Sequence, residues 1–283
     1  MGAYDRLSLN TATTKRLTLA EAVAAAQRAG LPAVGVWRDR VHEVGLAAAA
    51  RLLAGSGLVV SSLCRGGFLT ATEPAARQSA LADNRAAILE AATLGTTELV
   101  MVVGGLPEGG KDLVAARGRA ADAVAELVPH AQEHGVRLVL EPLHPMYAAD
   151  RAVLSTLEQA LDLAAPHPAS AVGVVVDTFH VWWDPKLSEQ VARAGREGRL
   201  AAYQVCDFNL PIAADALLSR GMMGDGVVDF APITGWVAAA GYAGPVEVEI
   251  FNAEIWAADA DEVLATLKQR WSELVLPFLA PAG

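Results

Sequence analysis

The segment Val136-Arg137-Leu138-Val139-Leu140-Glu141-Pro142 is a short apolar run that stops at a carboxylate. The same arrangement recurs in Val172-Gly173-Val174-Val175-Val176-Asp177, and Val246-Glu247-Val248-Glu249-Ile250-Phe251 carries Glu249 near its end. Runs this short and this rich in valine read as buried strands. A carboxylate where a buried strand stops is costly unless something positive meets it. Three such acids on strands of one parallel sheet converge at one rim. A divalent metal is the simplest partner they could share.

The rest of the chain alternates in the same way. Strands are expected at Arg6–Asn10, Ala33–Arg38, Leu58–Cys64, Glu98–Val103, Val136–Glu141, Val172–Asp177, Leu200–Cys206 and Val246–Phe251. Between them lie Ala-rich stretches with helical composition. Thr18 followed three residues later by Glu21 is a capping box for a helix running to Ala29. Further helices are expected at Arg40–Ala54, Pro74–Leu94, Leu113–His134, Val153–Ala165, Leu187–Arg196, Ala231–Ala240 and Asp259–Leu274. Gly30, Gly95 and Gly135 stand where three of them stop. Eight strand–helix units without a linker favour a closed α/β barrel, a single (β/α)8 TIM barrel, over an open doubly wound sheet. The whole of residues 1–283 reads as one TIM-barrel domain, since such barrels commonly reach about 250 residues.

Composition narrows the function. Hydrophobic residues make up 53% of the chain, enough for a large core, and the formal net charge is −10 with no Lys/Arg block. That balance argues against a nucleic-acid partner and suits a metabolic enzyme. Two distant cysteines, Cys64 and Cys206, form no disulfide framework and fit a reducing, cytoplasmic setting. Met1–Asn10 lacks a charged-then-apolar leader pattern, and no apolar run approaches the ~18 residues of a membrane span.

In such a barrel the active site lies at the C-terminal ends of the strands. Arg65, Gly104-Gly105, Glu141 and His144, Asp177 and His180, Gln204 and Asp207, and Glu249 all fall there. Glu247 points the same way as Glu249 but lies deeper. Carboxylates with a carboxamide or imidazole suit Mn²⁺, Mg²⁺ or Co²⁺ better than a thiolate-loving ion. Such an ion can polarise a carbonyl and its neighbouring hydroxyl while a carboxylate moves a proton at the adjacent carbon. That is the enediolate chemistry of sugar isomerisation or epimerisation. Gly104-Gly105 allows either close substrate approach or a tight turn. Trp37, Trp182, Trp183 and Trp256 offer an apolar wall for a sugar ring or a homo-oligomer interface. His42, His130, His134 and His167 read as solvated, and the two cysteines as small buried hydrophobes.

Glu141-Pro142, Asp177-Thr178-Phe179-His180, Gly224-Asp225-Gly226-Val227-Val228-Asp229-Phe230 and the run from Val246 to Asn252 resemble the xylose isomerase-like TIM-barrel superfamily, in particular its sugar phosphate isomerase/epimerase group. Inosose dehydratase and isomerase, ketose 3-epimerases and endonuclease IV are relatives. The resemblance implies a metal held by Glu141, Asp177, the position of Gln204, and Glu249, with Glu141 and Glu249 doubling as the acid/base pair. It implies substrate contacts from His180 and from Arg220, which would grip a substrate oxygen or phosphate. His144 and Asp207 are further substrate-contact candidates, Asp207 alternatively ordering its loop. Gln204 departs from the pattern, because the family usually has histidine there. An amide oxygen is a harder ligand than imidazole, so zinc is disfavoured against Mg²⁺ or Mn²⁺, and His144 or His180 can supply an imidazole instead.

The function so implied is a metal-dependent sugar or sugar-phosphate isomerase or epimerase acting on a small-molecule sugar or polyol. An inosose-type dehydratase is the alternative within enzymes. A non-catalytic sugar-binding barrel is the alternative outside them. An endonuclease IV-like activity is disfavoured by the missing histidines and the negative charge.

Overall fold

A computed structural model describes residues 2–279. Of the 1–283 span read as one domain, residue 1 and residues 280–283 lie outside the described part. Eight parallel strands close into a barrel: β1 (Leu7–Asn10), β2 (Ala33–Trp37), β3 (Val59–Gly67), β4 (Glu98–Val102), β5 (Arg137–Leu140), β6 (Val172–Asp177), β7 (Leu200–Val205) and, pairing back onto β1, β10 (Val246–Val248). Between β7 and β10 a small antiparallel ribbon is formed by β8 (Asp207–Phe208) and β9 (Arg220–Gly221). The (β/α)8 TIM barrel expected from the alternation is therefore the observed architecture. No helix among the described residues is long and apolar enough to cross a membrane.

The longer helices bury their apolar stripes against the outside of the strands, so the main core is the layer between helices and sheet. Leu81, Ile88, Leu127, Leu161, Leu267 and Trp271 fill it from the helical side and are 0% exposed. The first helix, Leu19–Arg28, shows how directly the sequence writes these elements. Thr18 caps it and Glu21 reaches back to the Thr18 backbone, the complete capping box.

Boundaries differ where a backbone constraint overrides pattern. The stretch expected as one helix, Arg40–Ala54, is two, Arg38–Val44 and Leu46–Ser56, divided at Gly45 with φ +82°. A positive φ cannot continue a right-handed helix. The third strand runs on to Gly67, into what reads as a loop, because β4 offers partners as far as Val102. The expected helix Val153–Ala165 begins only at Leu157, capped by Thr156. At Gly105 the backbone of Ala149 and Asp150 comes so near that a Cβ would sit 2.5 Å from the Ala149 carbonyl oxygen. The Gly104-Gly105 pair is thus explained by chain packing.

The inside of the barrel is partly polar. Glu247, 2% exposed, accepts hydrogen bonds from Ser61 Oγ at 2.7 Å, Asn10 Nδ2 at 2.9 Å and Gln204 Nε2 at 3.1 Å. This layer lies below the strand ends and forms the floor of the barrel mouth.

Candidate active site

Glu141 follows β5 directly, Asp177 ends β6, and Glu249 follows β10 directly. All three side chains are buried, at 5%, 1% and 3% exposure, as is the Arg220 guanidinium among them at 2%. The β8–β9 ribbon delivers Arg220, with Phe208 and Arg220 opposite each other in register. Arg220 Nη1 donates to Asp177 Oδ2 at 2.9 Å and lies 3.2 Å from Glu249 Oε2. It also donates to the Glu249 carbonyl at 3.2 Å and approaches Cys206 Sγ at 3.5 Å. The rings of Phe179 and Phe251 flank the guanidinium at 4.7 and 5.4 Å. A planar cation between two aromatic faces and two carboxylates is the arrangement arginine suits better than lysine.

Asp177 uses both oxygens: Oδ1 caps the helical turn Thr178–Val181 by accepting from Phe179 N–H at 2.8 Å, and Oδ2 takes Arg220. Glu249 Oε1 accepts from the Trp37 indole at 3.0 Å, with the Cys64 thiol at 3.8 Å. His180 completes the cluster. Its Nε2 lies 3.8 Å from Glu141 Oε1 and 3.9 Å from Asp177 Oδ2. Ligand atoms of Glu141, Asp177 and His180 lie within 4.8 Å of one another, a spacing that can hold a metal ion.

Burial and crowding set the protonation of this group. Desolvation, reinforced by the Asp177 and Glu249 charges, holds the Glu141 carboxyl well above the usual carboxylate range. Desolvation raises Asp177 as well, against the pull of Arg220. Glu249 is pushed up to about 7 by burial, aided by Asp177 and Glu247 and opposed by Arg220. Burial and the nearby Arg220 keep His180 neutral. For Arg220 itself burial works against the charge, and Asp177 and Glu249 more than reverse it.

His180 has conflicting neighbours. Arg220 Nη2 faces its Nε2 at 3.0 Å, and the His144 backbone N–H donates to its Nδ1 at 3.1 Å. Both neighbours are donors, whereas a neutral imidazole keeps one N–H. One of the two contacts therefore runs against a ring proton. Displacing Arg220 would relieve it and free Nε2–H toward Glu141 or Asp177.

The structure brings together Glu141, Asp177, Glu249, His180 and Arg220. Gln204 is inside the barrel, in register with both Asp177 and Glu247, but its amide nitrogen is spent on Glu247. Its Oε1 is buried without a partner. The His144 ring packs 5.4 Å from Phe208 and 5.8 Å from Trp183, with Nδ1 accepting from Met146 N–H. Of the two roles open to Asp207, the structure fills the loop-ordering one. Its oxygens accept from the backbone N–H groups of Phe208, Gly224 and Val228 at 2.8, 2.8 and 2.9 Å.

Several contacts around the mouth have no signal in the sequence. Trp37 is a hydrogen-bond donor to Glu249, and Phe179 and Phe251 are the faces on Arg220. Cys64 and Cys206 are buried as expected, but Cys64 also lines the mouth and Cys206 Sγ lies 3.5 Å from Arg220 Nη1. Alternation gave a usable signal for Cys206, which is two residues beyond Gln204 on one strand face. Tyr147 and Arg151, from the segment after β5, also line the mouth, with Arg65 and Phe68. The remaining cavity is about 50 Å³, room for a few waters and far below the ~300 Å³ at which ligand pockets usually begin. A ligand of sugar size would have to displace side chains to enter, and Arg220 is among the residues that line the space.

Known proteins resemble this chain over different extents. A crystal structure of a protein from Sinorhizobium meliloti 1021 is 45% identical, with a TM-score of 0.93 over 99% of this chain and 100% of that one. The crystal structure of IOLI protein with a bound zinc atom is 21% identical, with a TM-score of 0.83 over 96% of this chain and 99% of that one, and shows the shared fold. Inosose isomerase of Bacillus subtilis (strain 168) is 26% identical over 161 residues, 56% of each chain. The chain thus spans about half the length of the curated relatives it matches. The model of the xylose isomerase-like TIM barrel matches residues 23–270. With most of its length matched and the closed barrel in place, the chain belongs to the xylose isomerase-like TIM-barrel family.

Proposed function

We propose that this protein is a metal-dependent isomerase or epimerase of a sugar or polyol, moving a proton at the carbon alpha to a carbonyl between Glu141 and Glu249. The observation that carries the reading is the clustering of Glu141, Asp177 and Glu249, all buried at the strand ends, with the Arg220 cation between Asp177 and Glu249 and His180 beside Glu141 and Asp177. The similarity to an inosose isomerase and to a zinc-holding barrel supports it.

The donor set fits a divalent ion. Glu141, Asp177 and His180 place ligand atoms within 4.8 Å of one another, Glu249 shares the Arg220 guanidinium with Asp177, and the buried, unpaired Oε1 of Gln204 lacks the partner that a buried amide oxygen requires. Glu141, Asp177 and Glu249 would hold the ion, with Gln204 through Oε1. Oxygen donors favour Mn²⁺, Mg²⁺ or Co²⁺ over zinc. When bound, the ion polarises the substrate carbonyl and its neighbouring hydroxyl.

The other roles belong to the chain. Glu249, buried just beyond β10 and held by the Trp37 indole, can take a proton in one half-reaction and return it in the other. Glu141, on a different strand, serves the opposite face of the enediolate. Released from the acids, Arg220 holds a substrate oxygen, and Phe179 and Phe251 keep its plane fixed. Trp37 steadies Glu249 from behind, and His180 stays neutral to donate or accept one hydrogen bond. The buried thiols of Cys64 and Cys206 fit a cytoplasmic setting.

One observation favours a second reading, a barrel that binds a sugar without turnover: Arg220 already supplies a cation between Asp177 and Glu249. Turnover of a ketose and inosose panel separates the two, before chelation, after it, and after Mn²⁺ is restored. The proposal expects metal-dependent turnover that falls about 10²–10⁴-fold in Glu141→Gln and in Glu249→Gln. Sugar binding that ignores chelation, with no turnover at all, would support the second reading instead.

A further inference from the structure

A second group of metal-ligating side chains lies far from the barrel mouth, on the last turn of the helix Leu113–Glu133. His130, Glu133 and the C-cap residue His134 place one ligand atom each within 4.8 Å of the others. His134 precedes β5 whereas Glu141 follows it, so the group lies at the opposite end of the barrel from the acids. We propose that His130, Glu133 and His134 form a binding site for a late first-row divalent cation, with zinc as the reference ion.

Helical spacing sets the geometry. Residues at i, i+3 and i+4 share one helix face, and the two imidazole rings lie 4.4 Å apart between centroids. His134 Nδ1 lies 2.9 Å from the His130 carbonyl oxygen. A carbonyl only accepts, so Nδ1 carries the ring proton and Nε2 presents its lone pair. Metal-ligating histidines are usually oriented in this way, by donating the second ring N–H to a backbone carbonyl or carboxylate. His130 Nδ1 is 3.8 Å from Glu133 Oε2, too long for a hydrogen bond. Two donors on one tetrahedral zinc lie about 3.4 Å apart, so a few tenths of an ångström of side-chain motion closes the gap.

Electrostatics agree with the geometry. The helix C-terminus carries the negative end of the macrodipole, and the His130 carbonyl holds the His134 ring there. His130 Nε2 is buried without a hydrogen-bond partner, which leaves Nδ1, the ring atom that faces Glu133, as the available ligand atom. Two imidazoles and one carboxylate form a nitrogen-rich set that prefers zinc, nickel or copper, in contrast to the oxygen-rich mouth. The two sites therefore sort ions by chemistry, and zinc found with the purified protein does not by itself report on the mouth.

The test titrates chelator-stripped full-length protein with Zn²⁺ against a chromophoric chelator. Wild type and Asp177→Asn should share a zinc-binding component that the double variant His130→Ala, His134→Ala lacks. Removing outer-shell partners alone costs about 10–100-fold in affinity, so losing two ligands should exceed about a hundredfold. Circular dichroism checks that the double variant is folded. Electron paramagnetic resonance of Cu²⁺ bound to Asp177→Asn gives an independent readout and should show coupling to two nitrogens. Unchanged zinc uptake in the folded double variant, or a copper spectrum without nitrogen coupling, overturns the proposal.

Discussion

Gln204 is where the chemistry of the mouth turns. Strand-end acids such as Glu141 and Asp177 are legible in sequence because a buried run that stops at a carboxylate demands a partner. The partner of Gln204 is not legible, because it depends on the register of β7 against β10, which sets Gln204 opposite Glu247. That contact fixes the amide: the nitrogen faces the carboxylate, so the buried oxygen is left without a partner. Gln204→His should retain the Glu247 contact through one ring N–H and offer the other nitrogen as a ligand, the carboxylate–histidine–metal arrangement. Zinc affinity at the mouth should then rise about tenfold or more, measured by chelator competition with His130 and His134 already replaced by alanine. Arg220→Ala tests the opposite sign. It leaves Asp177 and Glu249 buried without their cation, which costs about 3–5 kcal/mol for a broken buried pair. Urea denaturation of the metal-free protein should show that loss, Arg220→Lys should recover only part of it, and added Mn²⁺ should recover most.

Elements place these residues with different degrees of legibility. The helix Leu19–Arg28 is written in full by its capping box, and the eight barrel strands by their apolar runs. The β8–β9 ribbon is not, since two-residue strands carry no periodicity, yet it alone brings Arg220 into the mouth. Asp207 holds that ribbon by gathering three backbone N–H groups from Phe208, Gly224 and Val228. Asp207→Ala leaves the buried donors of Phe208 and Val228 unsatisfied, at about 1–3 kcal/mol for each, and frees the part-buried Gly224 N–H to water. The expected outcome is a lower melting temperature together with a raised KM, as the Arg220 segment loosens. A KM unchanged in a folded variant would show that the ribbon is held by other contacts.

The whole barrel is fastened between neighbouring units, and one fastening predicts a pH response. Arg38, at the end of β2, binds Glu90 through Nε at 2.7 Å and Asp83 through Nη2 at 2.9 Å, both on the helix Pro74–Leu94. For Glu90, burial works against ionisation, but Arg38 and His42 outweigh it and lower the pKa. Arg38 lowers Asp83 as well. Folded-state values below the unfolded ones give stability that is present above the unfolded carboxylate range, near pH 4, and lost as pH falls through the folded values. The melting temperature should therefore drop as pH falls below about 4, and Arg38→Ala should flatten that limb while lowering the plateau. A limb of unchanged steepness in the variant would assign acid sensitivity to other carboxylates.

Closure of the barrel, the eight units and the three converging acids follow from short-range pattern and were readable residue by residue. What joins them across the barrel was not: the Trp37–Glu249 bond, the aromatic faces on Arg220 and the polar floor at Glu247 all link residues from distant strands. Proton transfer alpha to a carbonyl in the mouth leaves an isotopic record. Wild-type protein with Mn²⁺ is incubated in D₂O with a ketose and inosose panel, and deuterium is read by NMR at the carbon next to the carbonyl. Deuterium entering at that carbon in wild type, and suppressed about 10²–10⁴-fold in Glu141→Gln, is the predicted result. No incorporation across the panel, or incorporation untouched by Glu141→Gln, would contradict it.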